Sequence, residues 1–456
     1  MPTADRAAPS DTGYYGLAIL VGLAAGAAGS AFHILVDRLS VWPSILAAAL
    51  GRGLFAYLAA AVAAAMVCAA LFLVRRFAPE AAGSGVQEIE GALEGMRPVR
   101  WRRVLPVKFV GGVMALSSGL VAGREGPTIH IGASIAAAVA ERLNLGKIDL
   151  RGLLAAGAAA GLSAAFNAPL AAILFVIEET RRQFPYTFRT YTAVIAAAAA
   201  SAVVTEAISG TSPDLEIAAL SMPLTTLPAY AGLGVLLGFV GVAFNRVLIM
   251  SLDGARRLSA RAPYLLAVVV GAATGALSLA MPEATGGGEK LILTLIAENL
   301  PVGLLAAIAV LRFAGTMASY ATGVPGGIFA PILTLATAIG LAVGTALPAL
   351  VPLPETAAAA FAVAAMGGLF SSTIRAPLVG VVLVAELTGA YDLILPVLVT
   401  CAIANWTADR LGGRPIYEVL LERTLRLAGA TVPPIPDEAA APSPVGLDET
   451  RQPRSS

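Results

Sequence analysis

Charge is what this chain has least of. Of 456 residues only 13% are Asp, Glu, Lys or Arg, and 30 basic against 29 acidic groups leave a net charge of +1. A balance so close to zero gives no electrostatic footprint for nucleic acid. Histidine and cysteine are scarcer, two of each. His33 and His130 are too few to build a metal cluster, so neither a metal nor a cofactor is expected. Cys68 and Cys401 lie in separate apolar segments, which argues for small core residues rather than a disulfide. The alternating short segments of an outer-membrane barrel are missing. No cleavable leader is expected, because Met1 to Gly13 is polar and the apolar run after it is long enough to span.

What is present is hydrophobicity. Apolar residues make up 57% of the chain and the mean hydropathy is +0.81. That composition describes an all-α membrane protein with several spans, and its many Ala and Gly residues suit close helix packing. The organisation reads as a disordered tail over 1–13, a first membrane half over 14–210, a loop over 211–225, a second half over 226–429, and a Pro-rich, charged, disordered tail over 430–456. That last tail is too short for a regulatory domain. Arg75-Arg76, Arg97 to Arg103, Arg181 to Arg189 and Arg423 to Arg426 mark one side. Basic residues concentrate on the cytoplasmic side of membrane proteins, so this side and both termini are expected there.

One apolar stretch holds two opposite charges, two glycines and a proline: Gly123-Arg124-Glu125-Gly126-Pro127. Inserting an ionisable residue at membrane depth costs about 2.5–3.5 kcal/mol, so such a residue is a functional candidate. Glycine frees the backbone, and proline suits a first helical turn. The pattern predicts a break at Gly123 and a new helix near Pro127. Its free N–H groups and positive dipole end make an anion site. Glu125 is an anion already tethered there, a plug that competes with a dissolved one.

The chain also repeats itself. Gly161 to Leu170 contains Ala168-Pro169-Leu170 and leads to Glu178; Gly368 to Leu378 contains Ala376-Pro377-Leu378 and leads to Glu386 at the same spacing. A glycine break precedes each, Gly123 to Pro127 and Gly326-Gly327-Ile328-Phe329-Ala330-Pro331. Short, interrupted segments at matching places in two halves describe a transporter with its site at their interface.

Taken with Gly83-Ser84-Gly85 and Tyr417, these motifs resemble the CLC family of chloride channels and chloride/proton antiporters, especially the bacterial antiporters. The motifs GSGxxEIEG, GREGP, AAFNAPLAxILFxIEE and GGIFAP and the Tyr417 region occur in the family's order, over about residues 14–429. The resemblance implies two inverted-topology repeats of tilted, broken and re-entrant helices. It implies chloride held by the Ser84 hydroxyl, the Tyr417 phenol and the backbone N–H groups of Ile328 and Phe329. Glu125 would be the external gating glutamate and Glu179 the internal proton-transfer glutamate. The activity implied is exchange of chloride for protons by a homodimer in the bilayer of a bacterial inner membrane. A passive chloride channel on the same scaffold is the alternative, and Glu179 argues against it. Neutral donors agree with this chemistry, since they bind an anion firmly enough to admit it and weakly enough to release it.

Blander readings stand beside these. Ser84 suits a helix N-cap, Tyr417 an interfacial belt, and Glu179 a solvated pair with Arg181 and Arg182. Glu178 reads as structural, paired with a basic residue. Arg124 reads as a partner for a carboxylate or for helix-end carbonyls, because a mobile plug must not be locked by its neighbour. Glu88, Glu90 and Lys108 read as a structural charge cluster. Two positions depart from the family pattern. Gln87 stands where proline is common, and His130 where bacterial relatives often carry glutamine. An intramembrane enzyme using Ser84 with His130 is a third reading; it needs the base within hydrogen-bond reach of the hydroxyl.

Overall fold

The computed structural model describes residues 9–429 apart from 50–51, 181–186, 212, 214, 218–220, 350–352 and 355. The expectations for 1–8, for Arg181-Arg182 and for 430–456 fall outside these residues. The described chain is helical, with no strand and two isolated bridges. The first half contains α1 (Asp11–Leu39), α2 (Trp42–Ala49), α3 (Arg52–Phe77), α4 (Val86–Leu93), α5 (Trp101–Ser117), α6 (Glu125–Leu143), α7 (Lys147–Phe166), α8 (Pro169–Thr180) and α9 (Phe188–Ser209). The second contains α10 (Leu227–Arg261), α11 (Leu265–Ala280), α12 (Glu289–Ala297), α13 (Val302–Ala321), α14 (Phe329–Ala346), α15 (Ala357–Ile374), α16 (Pro377–Thr388), α17 (Ile394–Arg410) and α18 (Ile416–Leu427). Helix α1 starts inside the tail expected over 1–13, because the Ser10 hydroxyl accepts the Gly13 N–H at 3.3 Å and caps it.

Among the described residues nine helical stretches are long and apolar enough to cross a membrane. Three of them form the centre: the apolar windows of α7, α14 and α15 are 83%, 67% and 89% buried, against 33–50% for the others. The outer helices therefore present apolar side chains to lipid, and the protein is a multi-pass membrane protein. Small residues let the central helices touch. A Cβ on Gly132 of α6 would lie 2.1 Å from the Gly157 carbonyl of α7, so only glycine permits this approach.

The two halves match element by element. Helix α6 lies along α7 as α14 lies along α15, and α1 packs on α9 as α10 packs on α17. Helices α7 and α15 both end in a left-handed residue two positions before a proline, Asn167 (φ 50°) and Arg375 (φ 71°). Pro169 and Pro377 then open α8 and α16, first-turn positions where a missing N–H costs nothing. These two helices lie antiparallel and cap each other. Glu386 accepts the N–H groups of Leu170 at 3.0 Å and Ala171 at 2.6 Å. Glu178 accepts those of Val379 at 3.0 Å and Leu378 at 3.5 Å. Glu178 thus serves a helix N-terminus, a structural duty, and a charge-assisted bond of this kind contributes about 1.5–3 kcal/mol. Antiparallel mates with exchanged caps are what inverted repeats produce.

The repeat also pairs two buried cations. Lys108 on α5 and Arg312 on α13 stand equally far before Pro127 and Pro331. Lys108 Nζ donates to the carbonyls of Ala81 (3.1 Å) and Gly83 (2.6 Å). Arg312 donates to those of Thr285, Gly286 and Gly287 at 2.6–3.0 Å. Both side chains are 0% exposed. Each cation fixes the glycine loop that leads into a short helix, α4 or α12. Lys108 makes these bonds to carbonyls, while Glu88 pairs with Arg97 at 2.7 Å and Glu90 turns toward Glu179. Of the expected Glu88/Glu90/Lys108 cluster, Glu88 and Lys108 still attract each other, while Glu90 faces Glu179 instead.

Candidate functional site

Three loops meet at the centre of the molecule. Gly83 N–H donates to the Val324 carbonyl at 3.1 Å, and Gly326 N–H donates back to Gly83 at 3.1 Å. Gly123 and Gly327 exchange N–H···O bonds of 2.8 and 2.7 Å. This clip joins the Gly83-Ser84-Gly85 loop, the break before α6 and the break before α14. Helix starts point inward from all three, and the first N–H groups of a helix have no intrahelical acceptor.

Glu125 lies at the heart of the clip with none of its surface exposed. Its Oε1 accepts the Ala330 N–H at 3.2 Å, in the first turn of α14, while its Oε2 has no hydrogen-bond partner. The carboxylate fills the space above two glycines: a Cβ on Gly123 would fall 2.1 Å from Oε2, and one on Gly327 3.0 Å from it. The negative end of the side chain thus occupies a place where helix amides would receive an anion.

Arg124 is engaged elsewhere. Its Nε donates to the Ala165 carbonyl at 3.0 Å, its Nη2 lies 3.1 Å from Glu289 Oε2, and its Nη1 meets His33 Nε2. His33 in turn lies 3.2 Å from Asp37. Arg124 therefore has both a carboxylate and a helix carbonyl as partners, as read from the sequence. Arg124, Glu289 and Asp37 border a cavity of about 580 Å³ that reaches Gly123 and is lined by the end of α1, the end of α5 and the Thr285–Glu289 loop.

Ser84 and Tyr417 sit below the clip, each 0% exposed, and neither hydroxyl has a hydrogen-bond partner. Gly85, not Ser84, is the N-cap of α4, and no side chain caps that helix. The capping reading of Ser84 fails, and the buried belt position excludes the interfacial reading of Tyr417. The Tyr417 phenol interacts with Ser84, Tyr320, Glu179 and Glu125, which brings four of the candidate residues into one region. Ile328 is the N-cap of α14 and Phe329 its first residue, so their N–H groups belong to the exposed dipole end. The Phe329 ring packs against Phe175 (5.3 Å), Phe370 (5.0 Å) and Tyr417 (6.0 Å). An orphaned buried hydroxyl costs about 1–3 kcal/mol, and two of them side by side mark a place built to receive an acceptor.

Glu179 lies near the end of α8 beside the fully buried Glu90, whose carboxyl feels it most among the nearby acids. The repeat isolates its role. Glu178 matches Glu386 and both cap helices, but Glu179 matches Leu387. No capping duty accounts for a second acid there. In the same way Glu125 matches Phe329, so each of the two candidate acids occurs in one half only. The sequence reading missed Arg312 and the Glu90–Glu179 contact. The equal spacing of Lys108 and Arg312 from their prolines was the available signal for the first.

His130 packs beneath Gly85, where a Cβ would meet its Nδ1 at 2.3 Å, and that nitrogen has no partner. Ser84 Oγ has none either, so the serine–base bond that an intramembrane enzyme requires is not formed. Gln87 is buried with its Oε1 unpartnered. No group of His, Cys, Asp and Glu among the described residues has the arrangement of a metal site.

Comparison with known proteins gives one answer. The family model described as voltage gated chloride channel matches residues 63–409. The H(+)/Cl(−) exchange transporter ClcA of Salmonella arizonae is 46% identical over 373 residues, 81% of this chain and 79% of its own. The crystal structure of a slow cyanobacterial Cl−/H+ antiporter superposes with a TM-score of 0.88 at 37% identity, covering 92% of this chain and 99% of that one. A eukaryotic CLC transporter gives 0.77 at 25% identity over 90% of this chain and 74% of its own. With inverted halves, clipped glycine breaks and relatives this similar along most of its length, the chain belongs to the CLC family, the voltage-gated chloride channels and their transporter relatives.

Proposed function

We propose that this protein is a secondary active transporter that exchanges chloride for protons. The observation that carries the reading is the Glu125 carboxylate, buried on the first-turn amide of α14 where a dissolved anion would be received. Carboxylate and chloride then compete for one place. Protonation neutralises Glu125 and weakens its hold on the helix N-terminus, which frees the place for chloride. Ser84, Tyr417 and the N–H groups of Ile328 and Phe329 hold the ion through dipoles alone. Lys108 serves this by drawing the Ala81 and Gly83 carbonyls toward itself, which turns oxygen lone pairs away from the ion path. A cation in direct contact would bind too tightly for rapid release. Glu179 supplies protons from the opposite side. The relatives named as H(+)/Cl(−) exchangers support this activity.

The basic ends of α3, α10 and α18 support an orientation with Glu179 toward the cytoplasm and the cavity beside Gly123 toward the outside. A homodimer in a bacterial inner membrane, with one pathway per subunit, follows the family. Helices α8 and α16 support it: twelve residues each, they are too short to span alone and expose Leu170 (60%) and Leu378 (57%). The unit boundaries proposed for the two halves are 14–210 and 226–429, with 211–225 between them.

The test is simultaneous recording of chloride efflux and external pH from chloride-loaded liposomes, with voltage clamped by a potassium ionophore. Chloride leaving while the medium turns alkaline against the proton gradient is the expected result. Chloride efflux with no proton movement would establish the channel. In the same assay Glu179→Gln should keep chloride flux and lose proton uptake, and unchanged coupling would reduce Glu179 to an interfacial acid.

A further inference from the structure

The long helix α10 ends in a charged stripe. Asp253, Arg256 and Arg257 stand three and four residues apart, so they share one helix face. Helix α18 carries the same pattern in Glu422, Arg423 and Arg426. The two faces enclose a cavity of about 550 Å³ lined by all six side chains. One ion pair crosses it, Arg423 Nε to Asp253 Oδ1 at 2.9 Å. Glu422 is held from outside the lining by Arg414, whose Nη1 donates to its Oε2 at 3.0 Å. Both carboxylates of the cavity are therefore committed. Arg256, Arg257 and Arg426 are exposed and have no ion pair among the described residues.

We propose that this cavity binds the phosphate headgroup of an anionic phospholipid. Three guanidinium groups around one space repel one another until an anion lies between them. Arginine suits that anion, because its planar fork of N–H donors matches phosphate oxygens. Helix dipoles do not account for the cluster. They favour a cation in the last turn only, which covers Arg261 on α10 and Arg426 on α18. Arg256 and Arg257 stand a turn earlier.

Position selects a lipid over a dissolved phosphate. Helix α10 belongs to the apolar stretch Leu224–Arg261, so the cavity sits where that span runs out. Just beyond it the Arg75 guanidinium lies over the Tyr264 ring, 5.8 Å from its centroid, a pairing suited to the membrane–water boundary. Apolar surface adjoins the charges. Met250, one turn before Asp253, is 70% exposed, and Leu427, next to Arg426, is 43% exposed. Acyl chains thus find cover beside the headgroup, and basic pockets at helix ends are general headgroup sites. A bound headgroup braces α18 against α10 alongside the Arg423–Asp253 pair, and α18 carries Tyr417 in its first turn. The binding itself does not depend on the exchange proposed above.

The experiment titrates the detergent-solubilised full chain with a short-chain phosphatidylglycerol and reads the thermal unfolding midpoint. Short-chain phosphatidylcholine and inorganic phosphate are run beside it. Phosphatidylglycerol is expected to raise the midpoint saturably, and the other two to leave it in place. Arg256→Gln, Arg257→Gln and Arg426→Gln should each weaken the apparent affinity about fivefold, the usual share of one basic side chain at a lipid surface. Arg261→Gln removes an exposed arginine of the same helix end that does not line the cavity, and should change nothing. An equal loss in Arg261→Gln overturns the site, since surface charge in general would then attract the lipid. So does an unaltered affinity in the three cavity variants, or a wild-type midpoint that phosphatidylglycerol does not move. A midpoint raised as much by inorganic phosphate overturns the lipid as the occupant.

Discussion

Glu125→Ala is expected to leave chloride running down its gradient while proton movement drops at least about a hundredfold, the lower end of what a lost acid–base group costs. The side chain has two duties at one location. It accepts the Ala330 N–H where an anion would be received, and on the proposed mechanism it is the acid there that takes a proton. Removing it opens the place permanently to chloride and leaves the proton nothing to ride on. Glu125→Gln should behave alike for protons, since an amide copies the neutral acid in shape and cannot exchange it. Simultaneous chloride and pH recording decides the matter, and coupled pumping by either variant would remove Glu125 from the gate. Neither change should destabilise the fold greatly. The carboxylate makes a 3.2 Å bond to Ala330 and leaves one oxygen unsatisfied in a dry interior, so its deletion relieves a desolvation cost.

Gly126→Ala is expected to stop both ions. The added Cβ would stand 2.4 Å from Ser84 Oγ, 2.7 Å from Ser84 Cα and 2.8 Å from its carbonyl oxygen. Two of these atoms are backbone and are held by the Lys108 and Gly326 bonds to Gly83, so the loop has no easy retreat. Overpacking of this kind costs about 1–3 kcal/mol and displaces what it touches, here the proposed chloride donor itself. Gly16→Ala on α1, with no atom within 4 Å of its Cβ position, is the matched control. Chloride flux and thermal unfolding measured together separate a displaced donor from a lost fold. A Gly126→Ala protein with normal flux would show that Ser84 does not bind the ion.

The fold was largely legible because its signals are local. Glycine breaks, prolines in first turns and the Ala-Pro-Leu to Glu spacing each act on the segment that contains them. The repeat could be read from two stretches of about ten residues, and the reciprocal caps give it a physical basis. What escaped the sequence depends on pairs far apart in the chain. Glu178 suggested a charged neighbour, yet it also holds a helix end about 200 positions away. Lys108 was grouped with nearby acids, though carbonyls of the preceding loop claim it. Arg312 drew no attention because a lone arginine in an apolar helix gives no clue to the loop it holds. At the site, Ser84 and Tyr417 each had a commoner use by residue type alone. Burial and the missing hydrogen-bond partners remove those uses, and neither property is visible in a string of letters.

The repeat has a consequence through its exceptions. In a perfect duplicate each acid would have a twin facing the other compartment, and a proton would meet the same order of groups from either side. Here Glu125 stands opposite Phe329 and Glu179 opposite Leu387. The scaffold is nearly mirror-balanced across the bilayer while its titrating groups are not. On the proposed mechanism the molecule therefore has a front and a back for protons but hardly for chloride. Acidifying the two compartments in turn should address different carboxyls and alter the rate with different profiles, even when net flux runs equally well in both directions.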